Sequence, residues 1–148
     1  MTVPTIAMVE RLRDATNAHD LDALVDCFAE SYRNDTPAHP GRGFTGREQV
    51  RTNWQQIFAA VPDVTASVQH TVTNGEEIWS EWEMRGTRPD GSPHLMRGVI
   101  IFGVSEGRAS WARFYLEPVD RGDGGATAAL RQIVGATGTA PDAAQDNG

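Results

Sequence analysis

Two carboxylates, Glu81 and Glu83, have a spacing that suits proton transfer. They stand two residues apart in a run of strand-forming residues, which places both side chains on one side, with Cα atoms about 6 to 7 Å apart. If that side faces an apolar pocket, burial and mutual repulsion raise the pKa of at least one carboxyl toward neutrality. A general acid or base at physiological pH needs such a pKa, so Glu81 and Glu83 are predicted to be catalytic.

The same run also supports the opposite arrangement. Its other side is more apolar and consists of Ile78, Ser80, Trp82 and Met84. The alternation of polar and apolar residues alone indicates that the apolar side is buried, so that Glu81 and Glu83 lie in water beside Arg85. Both alternatives stay open at this point.

A second polar pair, Tyr32 and Asn34, is also spaced by two residues. On a strand the two side chains project to one face, where a phenol and an amide can orient a substrate or a water molecule. We predict that they belong to the catalytic site. The alternative is structural, with the tyrosine packed at a rim and the asparagine bonded to a neighbouring loop.

Large apolar residues are predicted to line the substrate pocket, namely Trp54 and Phe58 from a helix and Trp79, Met96, Ile100 and Phe114 from strands. His94 stands two residues before Met96, so both side chains lie on one side of a strand, and His94 is predicted to reach the same pocket. Its position after a proline also suits an exposed hairpin residue. An apolar lining with few polar groups is typical of a site for a small hydrophobic metabolite. The competing interpretation of these residues is an ordinary core.

No metal or cofactor is predicted. The histidines show no His-x-His or Glu-x-x-His spacing, and His19 and His39 suit a helix cap and a loop. The single cysteine, Cys27, excludes an internal disulfide and a thiolate metal cluster. Its position on the packed side of a helix is typical of a small core residue.

The composition excludes several classes of partner. The chain has 148 residues, no lysine and a net charge of −7, so it lacks the basic surface that nucleic acid requires. The longest aliphatic or aromatic run is Val99 to Phe102, too short to cross a membrane. Glu10, Arg11 and Arg13 lie where a signal peptide needs apolar residues, which predicts a cytoplasmic protein.

Three amino-terminal helices must position the helical part of the site. The first is predicted from Thr5 to Ala18, and the second begins after Asp20, which can cap it. A short strand from Tyr32 to Thr36 follows. The third helix is predicted to start at a capping box formed by Thr45 and Glu48.

Four consecutive strands are predicted after these helices, because strand-forming runs alternate with the turn signals Asn74-Gly75, Asp90-Gly91 and Glu106-Gly107. Helices first and strands afterwards indicate an α+β fold, with the helices packed on a curved, mostly antiparallel sheet. The sequence predicts one domain over residues 1–137, including a short helix from Thr127 to Val134. Gly138 to Gly148 is predicted to be a disordered tail.

Four local phrases resemble SnoaL-like domains: His19 to Leu24, Phe44 to Glu48, Arg85 to Thr87, and Glu106 to Arg108. SnoaL-like polyketide cyclases share a cone-shaped fold with nuclear transport factor 2, ketosteroid isomerase and limonene epoxide hydrolase. The resemblance covers residues 5–118. It implies the cone-shaped fold and a site inside the cone, whereas a shared fold does not fix the reaction.

The resemblance also assigns roles residue by residue. Tyr32 and Asn34 resemble the pair that holds the attacking water in limonene epoxide hydrolases. The other catalytic positions of those enzymes hold Glu81, Glu83 and Phe114 here, and Phe114 also stands where SnoaL cyclases carry an acid/base Asp.

The two acids of ketosteroid isomerases correspond to Thr36 and Val99 in this chain. No related mechanism is therefore carried over intact.

These observations predict a cofactor-independent acid–base enzyme acting on a small hydrophobic metabolite. Cyclisation, isomerisation, dehydration and epoxide opening all remain open as its reaction. The alternative is a non-catalytic module of the same fold that binds a ligand or another protein.

The convex side of the sheet is predicted to form a homodimer. We expect it to carry Trp82, Met84, Val99, Ile101, Trp111 and Tyr115. So large an apolar patch is seldom left in water, and a second copy of the chain would cover it.

Overall fold

The predicted helices and strands occur in the predicted order, and one short strand that the sequence did not predict precedes the third helix. The computed structural model describes residues 5–120, 122 and 124–138. The helices are α1 (Thr5–Ala18), α2 (Leu21–Asp26), α3 (Arg47–Ala60) and α4 (Gly125–Gly138), and a 3-10 turn covers Pro40–Arg42. The strands are β1 (Phe28–Asp35), β2 (Phe44–Thr45), β3 (Thr65–Asn74), β4 (Glu77–Thr87), β5 (Pro93–Ser105) and β6 (Arg108–Pro118).

The strands form one curved sheet in the order β2-β1-β6-β5-β4-β3. Neighbouring strands are antiparallel except β1 and β6, which run parallel. The long strands β3 to β6 pair in sequence, as consecutive hairpins do. The predicted α+β fold, with helices on a curved and mostly antiparallel sheet, is confirmed.

The core lies between α1, α2 and the concave face of the sheet. Trp82 is its largest side chain and is only 1% exposed. The Trp82 indole Nε1 donates to the Ser80 hydroxyl at 2.8 Å, and that hydroxyl donates to the carbonyl of Ile100 at 2.7 Å. Because these polar groups are satisfied inside, the concave side of β4 can be buried at little cost.

Gly98 in β5 permits a close approach of β6. Its φ of +151° is one that residues with a side chain rarely adopt, and a Cβ there would overlap the carbonyl oxygen of Tyr115. Gly98 pairs with Leu116 in the sheet. The glycine therefore lets the two strands approach closely at the level of the concave cavity described below.

The sequence predicts the cap of α2 correctly but not the cap of α3. Asp20 caps α2 as expected, because its carboxylate accepts from the backbone N–H of Ala23 at 3.1 Å. The capping box predicted for α3 is wrong. Gly46 is the cap residue, with a φ of 99° and no side-chain bond, while Thr45 belongs to β2 and pairs with Arg33.

The carboxyl-terminal helix α4 is longer than the predicted segment from Thr127 to Val134, since it covers Gly125–Gly138. Gly138, the first residue of the predicted tail, is the last residue of this helix. The rest of that tail, residues 139–148, lies outside the described residues. Within the described chain, no helix is long and apolar enough to span a membrane.

Candidate active site

A cavity of 290 Å³ opens between the concave face of the sheet, α3 and the 3-10 turn. Its apolar lining consists of Phe28, Phe44, Val50, Trp54, Ile57, Met84, Met96, Phe114 and Leu116. Its polar lining consists of Tyr32, Asn34, Thr36, Arg42, Asn53 and His94. The cavity is close in size to the smaller sites that proteins use for small molecules, and its composition is typical of them.

One wall of the cavity carries a chain of hydrogen bonds along β1. The Tyr32 hydroxyl donates to Asn34 Oδ1 at 2.7 Å, and Asn34 Nδ2 is 3.4 Å from Thr36 Oγ1, to which it donates. All three side chains are buried. They share one face because they follow one another at intervals of two residues along an extended chain.

The phenol of Tyr32 keeps its proton. Burial raises the pKa of Tyr32 well above its ordinary value, and the charge of Asp35 raises it further. The neutral hydroxyl therefore polarises the Asn34 amide, which strengthens the amide hydrogens as donors. Among the residues that the structure describes, the second Nδ2 hydrogen of Asn34 and the hydroxyl hydrogen of Thr36 have no protein acceptor, so they can bind another molecule.

The imidazole of His94 lines the cavity from β5. Burial lowers the pKa of His94 below 6.5, the charge of Arg88 adds to this effect, and Asp63 opposes it. No hydrogen-bond partner for this ring occurs in the part of the chain that the structure describes. His94 is therefore a neutral, available base at pH 7.

The structure brings six of the predicted site residues together in the cavity wall: Tyr32, Asn34, Trp54, His94, Met96 and Phe114. Two others lie beside it. Ile100 is buried in the core on the same face of the sheet, and Phe58 stacks on His19 with 4.8 Å between ring centroids.

Glu81 and Glu83 lie on the opposite, convex face, so the expectation that they face the pocket is wrong. Glu81 is half exposed and has His70 3.9 Å away. Glu83 accepts from Arg97 Nε at 2.6 Å and from Arg85 Nη2 at 3.1 Å. These hydrogen bonds, that of Arg97 first, hold the pKa of Glu83 below its ordinary value, which is the reverse of the predicted shift.

The physical reason is the balance between the two sides of β4. Ile78, Trp82 and Met84 bury large apolar areas when they face the helices. The inverse arrangement would place two carboxylates in the core without partners, at a much higher cost. Trp79 follows the same rule: it is 48% exposed on the convex face, where its indole donates to Glu77, and it is not part of the pocket lining.

Nine lining residues are not among the predicted site residues: Phe28, Thr36, Arg42, Phe44, Val50, Asn53, Ile57, Met84 and Leu116. The alternation of side chains between the two sides of a strand could have identified some of them. Thr36 continues the Tyr32 and Asn34 side of the chain, and Leu116 continues that of Phe114. Arg42, at the end of the 3-10 turn, and Phe44, in the two-residue strand β2, carry no such signal, because both elements are too short to show a period.

Other chemistry-bearing residues have structural roles. Burial raises the pKa of the Cys27 thiol to about 11, so it stays protonated in the core. His19 Nε2 lies 2.8 Å from the carbonyl oxygen of Val64, and His39 pairs with Glu117 at 3.2 Å. Among the described residues, no group of three or more His, Cys, Asp or Glu side chains could hold a metal ion.

The family model described as "SnoaL-like domain" matches residues 9–114. A search of curated proteins finds no significant match. Among solved structures, wild-type IdmH from Streptomyces antibioticus, a proposed polyketide cyclase, is 26% identical with a TM-score of 0.68. That alignment covers 77% of this chain and 92% of IdmH.

Two further solved structures share the fold. Rv0760c from Mycobacterium tuberculosis, in complex with estradiol-17beta-hemisuccinate, is 20% identical with a TM-score of 0.66, over 76% of this chain and 92% of its own. A proposed SnoaL-like polyketide cyclase from Jannaschia sp. CCS1 is 19% identical with a TM-score of 0.64, over 76% of this chain and 84% of its own.

Proposed function

The chain belongs to the SnoaL-like domain family, and from this premise we propose that it is a cofactor-independent enzyme that transfers a proton on a small hydrophobic metabolite. Cyclisation or isomerisation is the reaction class. The observation that carries the proposal is the apolar cavity that holds both a neutral imidazole, His94, and the hydrogen-bonded Tyr32, Asn34 and Thr36. The similarity to IdmH supports the cyclase type.

In the proposed first step, an imidazole nitrogen of His94 takes a proton from a carbon next to a substrate carbonyl. The electron pair of the broken C–H bond forms the enolate double bond, and negative charge develops on the carbonyl oxygen. Asn34 Nδ2 and the Thr36 hydroxyl donate to that oxygen. Donors fixed in advance in an apolar site stabilise such charge more than water does.

The second step returns the proton. In an isomerisation, the substrate is a β,γ-unsaturated ketone, the enolate is conjugated with its C=C bond, and the imidazolium of His94 protonates the γ carbon, so that the C=C bond moves next to the carbonyl. In a cyclisation, the enolate carbon attacks a second carbonyl carbon of the same molecule, and the new alkoxide oxygen takes the proton from His94. Both routes leave the enzyme in its starting state and need no external oxidant or reductant.

Epoxide opening is less well supported. It needs a base for the attacking water and an acid for the epoxide oxygen, and none of the lining residues that the structure describes is an aspartate or glutamate. The same observation favours a second candidate function, a module that binds a hydrophobic ligand without reaction. Phe114, in the position where SnoaL cyclases have an acid/base Asp, supports this candidate as well.

Proton exchange on a hydrophobic ketone tests the proposal. We expect the protein to accelerate the exchange of the α-protons of naphthylacetone with deuterium oxide, measured by proton NMR. The neutral imidazole is the active form, so kcat/KM should fall on acidification. Because burial lowers the pKa of His94, the midpoint of that fall should lie below the ordinary value of 6.5.

The ligand-binding alternative gives a different result in the same sample. If naphthylacetone binds, as shown by line broadening, but its α-protons exchange no faster than in buffer, the enzyme proposal is rejected. An acid limb above 6.5 would contradict the role given to His94.

We also propose that the convex face of the sheet forms a homodimer. Two residues expected there, Trp82 and Met84, lie on the concave side instead. The convex face still presents Val72, Trp79 and Tyr115, which are 67%, 48% and 43% exposed. Large apolar groups gathered on one face are typical of a protein interface.

Sedimentation tests the dimer. At micromolar concentration we expect twice the chain mass of 16.1 kDa. Trp79→Arg should shift the protein toward the monomer, because it replaces one of these exposed apolar groups with a charge. Gln55→Arg, on an exposed position of α3, is the matched control and should sediment as the unaltered protein does. A monomer before any substitution would contradict the proposal.

A further inference from the structure

Arg42 is a cationic residue at the cavity, and it has no role in the proposed reaction. It ends the 3-10 turn, lines the cavity and is exposed to solvent. Within the described ranges its guanidinium has no ion pair or hydrogen bond, unlike several other arginines. Those that form ion pairs are Arg13, Arg33, Arg51, Arg85, Arg97 and Arg108.

A second donor of the cavity wall comes from α3. Asn53 Oδ1 accepts from Gln49 Nε2 at 2.8 Å, and within the described residues the Asn53 Nδ2 hydrogens have no acceptor, so they can bind another partner. Among the described lining residues, Arg42 and Asn53 thus provide donors, and no carboxylate opposes them. An anion is the ligand group that such a lining favours.

We infer that Arg42 binds a carboxylate of the substrate, so that the substrate class is a small hydrophobic acid. This inference rests on the proposed function of the same cavity. The protein carries a net charge of −7 and repels anions in general, so a local cation is needed to admit one. Arginine matches the planar carboxylate with two parallel hydrogen bonds.

A carboxylate fits the charge of the site better than a phosphate does. Arg42 is the single cationic side chain among the described lining residues, because His94 is neutral at pH 7. One guanidinium neutralises one carboxylate, whereas the second negative charge of a phosphate monoester would stay unpaired beside an apolar wall. The acid end then lies beside Arg42 and the apolar body extends toward Phe114 and Met96.

Binding of a matched acid and ester tests the inference. The probes are naphthaleneacetic acid and its methyl ester, measured by isothermal titration calorimetry at pH 7 and low salt. We expect the unaltered protein to bind the acid more tightly than the ester. Arg42→Gln should weaken the acid about tenfold, the size expected for losing a charge-assisted hydrogen-bonded pair, and leave the ester unchanged.

The control variant is Arg33→Gln. Arg33 is an exposed arginine of β1 that pairs with Asp35 and does not line the cavity, so both probes should bind this variant as before. Added salt should weaken the acid more than the ester, because an exposed charge pair is screened. Naphthyl phosphate should bind less tightly than the acid, and tighter binding would overturn the choice of a carboxylate.

The remaining outcomes separate this inference from the proposed function. If the ester binds and Arg42→Gln leaves the affinity for the acid unchanged, the role of Arg42 is overturned while the cavity remains a ligand site. If neither probe binds, the cavity does not hold small hydrophobic molecules, and the proposed function is rejected together with the inference.

Discussion

Replacing His94 with Gln is expected to reduce the kcat for α-proton exchange on naphthylacetone by about a hundredfold or more, the effect of losing a general base. Gln keeps the approximate size and the hydrogen-bonding capacity of the side chain but cannot take up a proton. The fold should persist, because His94 is only partly buried and lies at the start of β5. Circular dichroism of the variant checks that point.

The matched controls are Glu81→Gln and Glu83→Gln. Both carboxylates lie on the convex face, so each variant should keep its exchange rate within about twofold of the unaltered protein. A hundredfold loss in either of them, with His94→Gln unaffected, would restore the acid–base role that the sequence predicts for the glutamates. The acid limb of the pH profile should disappear in His94→Gln.

Trp82→Ala should have the largest effect on stability, a loss of about 3 to 5 kcal/mol in the free energy of unfolding. The indole is fully buried between β4 and the helices, and the substitution leaves a cavity that the packed surroundings cannot close. It also removes the donor to Ser80. Since domains of this size have only about 5 to 15 kcal/mol in total, urea unfolding at a fixed protein concentration should reveal the change at once.

Glu81→Ala is the neighbouring control for this prediction. It changes the other side of the same strand, where the side chain is half exposed, and should leave the unfolding midpoint almost unchanged. If Glu81→Ala were the more damaging of the two, the orientation of β4 described above would be wrong.

The fold could be predicted because its signals are local. Asp20 precedes a helical pattern of apolar residues and specifies the start of a helix. Asn74-Gly75 lies between two alternating strand patterns and specifies a hairpin. A chain whose helices precede its strands is then compatible with only a few folds. The start of α3 escaped this reasoning because Gly46 caps it through a backbone conformation, with a φ of 99°, and not through a side chain.

The site was harder to predict because parity leaves open which side of a strand is inside. For β1 the choice of Tyr32 and Asn34 as cavity residues agrees with the structure, since Arg33 alternates with them and is exposed. For β4 the spacing of Glu81 and Glu83 is equally regular, yet the opposite side carries the larger apolar residues. The burial of Trp82 and its neighbours decides the orientation.

The position of Arg42 cannot be predicted from the spacing of residues in the sequence. Its position beside the cavity depends on the path of a loop that leaves β1 and returns as β2, and a loop has no periodicity from which a face can be read. His94 is an intermediate case. Its parity matches that of Met96, while the cause of its lowered pKa, burial together with Arg88 from the preceding turn, becomes visible only in three dimensions.

A small hydrophobic molecule is proposed to occupy the cavity beside His94, and every function proposed for the cavity depends on this claim. The most direct measurement is an isotope-filtered NMR experiment that records nuclear Overhauser effects between the methyl ester of naphthaleneacetic acid and the labelled protein. We expect the naphthyl protons to contact the ring of Phe114, the methyl group of Met96 and the ring of His94, all of which line the cavity. Contacts confined to Trp79 and Tyr115, on the exposed convex face, would contradict the claim.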